Sequence, residues 1–178
     1  MAGSSVRFGA LLGVVATFVA TDSFAVSEAQ SGSRVMGWVE NVRLFPGGLR
    51  IPAKLDTGAR TSSIGVSGLK VFWRGGQKWL RFSVSNRNGT KGSFERPVVR
   101  VARVRRSQTK TVERPVVKLG LCIGNSYREV EVNLAVRSHL NYAMLIGRTS
   151  MQGIVIDPSQ KFTAEPACAV PSGVEAKR

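Results

Sequence analysis

The chain has 178 residues, room for one domain with appendages, and its 43% hydrophobic content is too high for a disordered basic tail. Lys and Arg number 26 against 11 Asp and Glu, a formal charge of +15, and only three of the acids are aspartates (Asp22, Asp56 and Asp157). With a single histidine, His139, and two cysteines, Cys122 and Cys168, the chain has no HExxH zinc-protease motif, no zinc ribbon and no Walker-type phosphate loop, and any Ser-His-Asp triad would have to use His139.

Residues 1–25 read as an export signal. Arg7 gives a weakly positive start, Phe8–Ala20 is uncharged and mostly apolar, and Ser23-Phe24-Ala25 offers small residues at the −3 and −1 cleavage positions. The expected location is periplasmic or secreted, in a bacterium. The alternative is an uncleaved membrane anchor, but residues 8–20 are short against the roughly 20 needed to span a bilayer. Residues 26–34 read as a flexible leader, 35–165 as the folded domain and 166–178 as a C-terminal tail. In an oxidising compartment Cys122 and Cys168 either bridge, stapling the tail to the body, or remain a buried thiol and a tail thiol.

Between the ends the pattern is β-rich. Ile51–Leu55 is a short apolar strand running into Asp56-Thr57-Gly58-Ala59. Gly75-Gly76 separates Val71-Phe72-Trp73 from Trp79–Val84 as a hairpin turn would, and Asn86–Gly89 is a second turn. Val98–Arg106 and Thr111–Leu119 form another hairpin-like pair. Gly124-Asn125 precedes Arg128–Leu134, which alternates strictly, as a strand with one wet face does. Met144-Leu145-Ile146 is an apolar strand ending in Gly147-Arg148, with one short helix expected near Arg148–Gln152. These elements predict an all-β fold, a small closed or nearly closed barrel. Trp38, Trp73 and Trp79 are expected in core or barrel-edge packing, and His139 in a solvated loop.

An Asp-Thr-Gly turn after an apolar strand is the arrangement that presents the catalytic aspartate of aspartic proteases. The segments Leu55–Ser62, Glu113–Val117, Met144–Thr149 and Val155–Ser159 occur in the right order. Together they resemble the retropepsin-like aspartic peptidases, and more narrowly a family of bacterial proteins often labelled ATP-dependent zinc proteases. The resemblance covers roughly residues 36–163 and implies a barrel of acid-protease type. It implies Asp56 as the catalytic carboxylate, with Thr57, Gly58 and Ala59 completing its loop and Ile146, Gly147 and Arg148 supporting it. No residues are present to hold the zinc or ATP of the family label, so no metal and no cofactor is expected.

Aspartic protease chemistry needs two carboxylates about 3 Å apart sharing one proton. This chain has no second Asp-Thr/Ser-Gly, and Asp157, in Ile156-Asp157-Pro158-Ser159, lacks the glycine of the catalytic loop and reads as a turn former. A peptidase would therefore be a homodimer in which each copy supplies Asp56. The resemblance also assigns a flap over the substrate to residues 98–118, with its tip at Arg106, Ser107, Gln108 and Thr109. Viral relatives place acidic residues after Asp-Thr-Gly-Ala to pair with the Arg of the Gly-Arg segment. Here Arg60-Thr61 stand there, so Arg148 is expected to lack an acidic partner.

Residues 96–118 hold eight Lys and Arg against one Glu. Such a hairpin would steer acidic peptides to the cleft, or simply expose arginines on a wet face. Nucleic acid is not an expected partner, because aromatic stacking platforms are missing among these cations. The competing functions are an aspartic endopeptidase, a catalytically silent module of the same fold binding an acidic partner or envelope polymer, and a peptidase that an activating partner protein dimerises or opens.

Overall fold

A computed structural model describes residues 1, 3, 33–105, 111–135 and 141–174. Arg7 and the apolar stretch 8–20, the expected flap tip (Arg106, Ser107, Gln108 and Thr109) and His139 lie outside the described residues. Among the described residues no helix is long and apolar enough to cross a membrane.

The domain is built from eleven described strands. They are β1 (Arg34–Phe45), β2 (Leu49–Leu55), β3 (Ser62–Gly65), β4 (Ser67–Arg74), β5 (Gln77–Ser85) and β6 (Lys91–Pro97). The rest are β7 (Arg100–Arg105), β8 (Thr111–Ile123), β9 (Ser126–Ala135), β10 (Met144–Ile146) and β11 (Ile154–Lys161). The larger sheet runs β11-β1-β2-β10-β3-β9-β8-β7, and an added β1–β8 pairing closes β1, β2, β10, β3, β9 and β8 into a six-stranded barrel. β8 makes this closure because it is long: its first half pairs with β7, its second half with both β9 and β1. The short helix expected near Arg148–Gln152 is a single 3-10 turn over Arg148–Ser150.

Period-two alternation fills the barrel. Leu49, Ile51, Ala53 and Leu55 of β2 point inward, as do Val117, Leu119, Leu121 and Ile123 of β8 and Val130, Val132 and Leu134 of β9. A smaller sheet, β4-β5-β6, adds Leu80, Phe82, Val84 and Phe94 to the same core, with the Phe82 and Phe94 rings stacked at 5.6 Å. Its first reversal uses Gly75 and Gly76 at φ +56° and +74°, the left-handed conformations that a tight hairpin turn demands. Trp38 and Trp79 are partly buried, as packing residues should be, but Trp73 is 70% exposed because β4 is the outermost strand of its sheet and runs past the core.

β11 returns parallel to β1. Just beyond it, the buried carboxylate of Glu40 on β1 accepts hydrogen bonds from the amides of Gly37 (2.7 Å), Thr163 (3.1 Å) and Ala164 (3.1 Å) and from the Thr163 hydroxyl (2.6 Å). Cys122 and Cys168 are joined by a disulfide that spans 46 residues and fastens the chain after β11 to the end of β8. Asp157 accepts from the Ser159 backbone amide (2.8 Å), the Ser159 hydroxyl (2.6 Å) and the Gln160 side-chain amide Nε2 (3.0 Å). The Ser159 hydroxyl, above all, holds its carboxyl below the usual aspartate range.

Candidate active site

The Asp56 loop leaves the barrel at the end of β2 and is held there by the segment that leaves β10. β2 and β10 run parallel with Leu55 level with Ile146, and the Asp56 amide continues that register by donating to the Ile146 carbonyl at 2.8 Å. The loop then turns on itself, the Ala59 amide donating to the Asp56 carbonyl at 3.2 Å. The Gly58 amide donates to Asp56 Oδ1 at 3.0 Å, fixing one oxygen of a half-buried carboxylate. Thr57 is exposed, and its hydroxyl meets no partner among the described residues.

Gly147 and Arg148 brace this loop from behind. The Arg148 amide donates to the Ala59 carbonyl (2.9 Å), and Thr149 donates to the Arg60 carbonyl from both its amide (3.1 Å) and its hydroxyl (3.0 Å). Arg148 itself, expected to lack an acidic partner, spends its guanidinium on the loop backbone: Nη1 donates to the Thr57 carbonyl at 2.6 Å. Contact this close requires glycine at 147, where a Cβ would stand 2.6 Å from the Thr61 carbonyl carbon and 2.8 Å from the Arg60 carbonyl oxygen.

Beneath the loop lies a buried polar chain that sequence reasoning missed. Ser62 Oγ accepts from the Gly147 amide (3.2 Å) and shares a hydrogen bond with Ser150 Oγ (2.9 Å). The Ser62 carbonyl accepts from the Asn133 side-chain amide (2.7 Å), whose oxygen accepts in turn from Arg114 (3.2 Å). Ser62, Ser150 and Asn133 are all buried, so an unmade bond here would carry its full desolvation cost. Asn133 occupies a polar slot in an alternating strand, where its pattern signals solvent. It is internal because β3 pairs alongside and brings the Ser62 carbonyl to its side chain.

The β7–β8 hairpin assigned as the flap is present up to its undescribed tip. Three of its cations are paired: Arg103 with Glu113 inside the hairpin (3.2 Å), and Arg100 with Glu131 (2.6 Å) and Lys118 with Glu129 (3.0 Å) on β9. A cavity of about 470 Å³ opens beside the Asp56 loop, lined by Arg60, Thr61, Arg100, Glu129, Glu131 and Thr149 among others. Arg60, four residues after Asp56, makes no ion pair among the described residues. No three described His, Cys, Asp or Glu side chains gather closely enough to hold a metal ion.

Comparison with known proteins fits this geometry. The family model described as retropepsin-like aspartic endopeptidase RimB matches residues 35–167. A probable α-L-glutamate ligase from Shewanella pealeana is 33% identical over 116 residues, 63% of this chain and 25% of that protein. A probable α-L-glutamate ligase from Parasynechococcus marenigrum is 32% identical over 112 residues, 61% of this chain and 24% of that protein. The chain thus spans about a quarter of the length of the curated relatives it matches. The crystal structure of protein Lpg0085 from Legionella pneumophila, of unknown function, superposes with a TM-score of 0.65 at 32% identity, covering 75% of this chain and all of that one.

Proposed function

The chain belongs to the RimB-like family of retropepsin-like aspartic endopeptidases, and from that premise we propose that it is an exported endopeptidase whose catalytic dyad forms when two copies each supply Asp56. The observation that carries this reading is the Asp56 loop, tied on one side to its own Gly58 amide and on the other to Gly147–Thr149. One carboxylate of the pair, ionised, takes a proton from water as general base. Its protonated partner donates to the scissile carbonyl, and the tetrahedral intermediate collapses as the amine leaves with a proton. No covalent intermediate forms. The exposed Thr57 hydroxyl, unpartnered among the described residues, supports a loop that meets a second copy.

The substrates proposed are acidic, glutamate-rich peptides. The chain is strongly basic, and the uncommitted Arg60 stands beside the loop, a cation available to a substrate carboxylate. Relatives named for ligating glutamate carry a matching domain, which supports glutamyl peptides as the class to try first.

The same relatives favour a second reading, because in them the matching segment is a minor part of proteins named as ligases: a silent module that binds glutamyl chains without cutting them. Digestion of a peptide library graded from neutral to glutamate-rich, with wild type and Asp56→Ala, separates the two. The peptidase reading expects cleavage of acidic members that falls at least about 10²-fold in Asp56→Ala. Binding of acidic peptides by both proteins, with cleavage by neither, would leave the module reading in its place.

A further inference from the structure

The smaller sheet carries an apolar face that stands exposed among the described residues. Cross-strand register sets Val71 opposite Leu80 and Trp73 opposite Lys78, so Val71 and Trp73 share the face that buries Leu80, Phe82 and Val84, and Leu69 follows the register shift at the start of β4. The β5 residues are at most 1% exposed, whereas Leu69, Val71 and Trp73 are 45%, 54% and 70% exposed. The cause is topological: among the described strands β4 pairs with β5 alone, so its apolar face continues past the core.

Charge frames this face. Residues 67–85 contain Lys70, Arg74, Lys78 and Arg81 and no acidic residue. Lys78 lies across the strand pair from Trp73, Arg74 follows it, and Gly75-Gly76 turn the chain immediately beyond. On the opposite face Arg74 and Arg81 lie over the Phe72 ring at 5.3 and 5.7 Å, and both also reach Glu95. Lys70 and Lys78 make no ion pair among the described residues.

An exposed indole beside free ammonium groups at a hairpin tip matches the interface zone of a bilayer. There the apolar ring enters the headgroup boundary and the cations meet lipid phosphates. A protein partner fits less well, since stable interfaces take about 800 Å² per side and their cores are depleted in lysine. We propose that the β4–β5 hairpin docks the protein on an anionic lipid bilayer through Val71 and Trp73, with Lys78 on the same face and Lys70 at the open β4 edge meeting the headgroups. The hairpin contributes no residue to the Asp56 site, so this inference stands or falls apart from the peptidase reading.

Vesicle co-sedimentation of the full chain tests it, with vesicles of phosphatidylcholine alone or mixed with phosphatidylglycerol. Binding to the anionic vesicles, weakened by salt and at least tenfold weaker in Trp73→Ser/Lys78→Glu with its circular dichroism unchanged, is the expected result. Lys70→Gln/Lys78→Gln, which leaves the apolar residues in place, should bind about fivefold more weakly per neutralised cation. Failure of wild type to bind anionic vesicles would overturn the proposal. So would undiminished binding by both variants, which would put the contact elsewhere in the chain. Loss of self-association in the Trp73 variant, with no vesicle binding by wild type, would assign the face to a second copy instead.

Discussion

Asp56 owes its setting to residues about 90 positions away in sequence, and Arg148 is the clearest of them, since its guanidinium holds the Thr57 carbonyl at 2.6 Å with 91 residues between. Replacing it should loosen the loop without harming the core, because the side chain is exposed. Arg148→Ala is expected to lower peptide turnover by up to about 10²-fold through misplacement of Asp56. Thermal unfolding should move by less than about 1 kcal/mol equivalent. Equal losses in turnover and stability would make Arg148 a general structural residue instead. At this scale the sequence was legible wherever chemistry is local in the chain: Asp56-Thr57-Gly58 and Gly147-Arg148 announce themselves. Ser62, Asn133 and Ser150 do not, because the hydrogen bonds that join them to one another span 71 to 88 residues and each sits in a pattern that reads as surface.

Among elements, hairpins were readable because glycine and asparagine mark their turns: Gly75-Gly76 between β4 and β5, and Asn86 between β5 and β6, where its side chain accepts from the amides of Asn88 (3.0 Å) and Thr90 (2.8 Å). β3 and β10, four and three residues long, are too short to show a period, yet they join β2 to β9 and complete the barrel. The latch between β1 and the chain after β11 was equally hidden, for a lone Glu40 in an apolar strand gives no hint that it will accept four hydrogen bonds. Glu40→Gln turns one acceptor into a donor facing backbone amides. It should cost about 1–3 kcal/mol in urea unfolding, and hydrogen exchange should quicken first at residues 163 and 164. An unchanged midpoint with unchanged exchange would show that the carboxylate is not the latch.

Over the whole molecule, the excess of +15 is less available than the count suggests, since three cations of the β7–β8 hairpin are already paired with glutamates. The scarcity of aspartates matters more. Asp157 is committed to the Ser159–Gln160 turn, which leaves Asp56 as the carboxylate for a dyad that needs two. Fold class was legible because alternation and turn residues recur along the domain, whereas assembly depends on surfaces that one chain's pattern does not pair. A mixing experiment tests the two-copy dyad most directly: wild type is equilibrated with increasing Asp56→Asn at constant total concentration, and acidic-peptide cleavage is measured while sedimentation reports the mass. If each dyad takes one Asp56 from each copy, activity falls with the square of the wild-type fraction, to about one quarter in an equal mixture of freely exchanging dimers. Activity that falls only in proportion to the wild-type fraction, or that persists in a purely monomeric sample, would contradict the account.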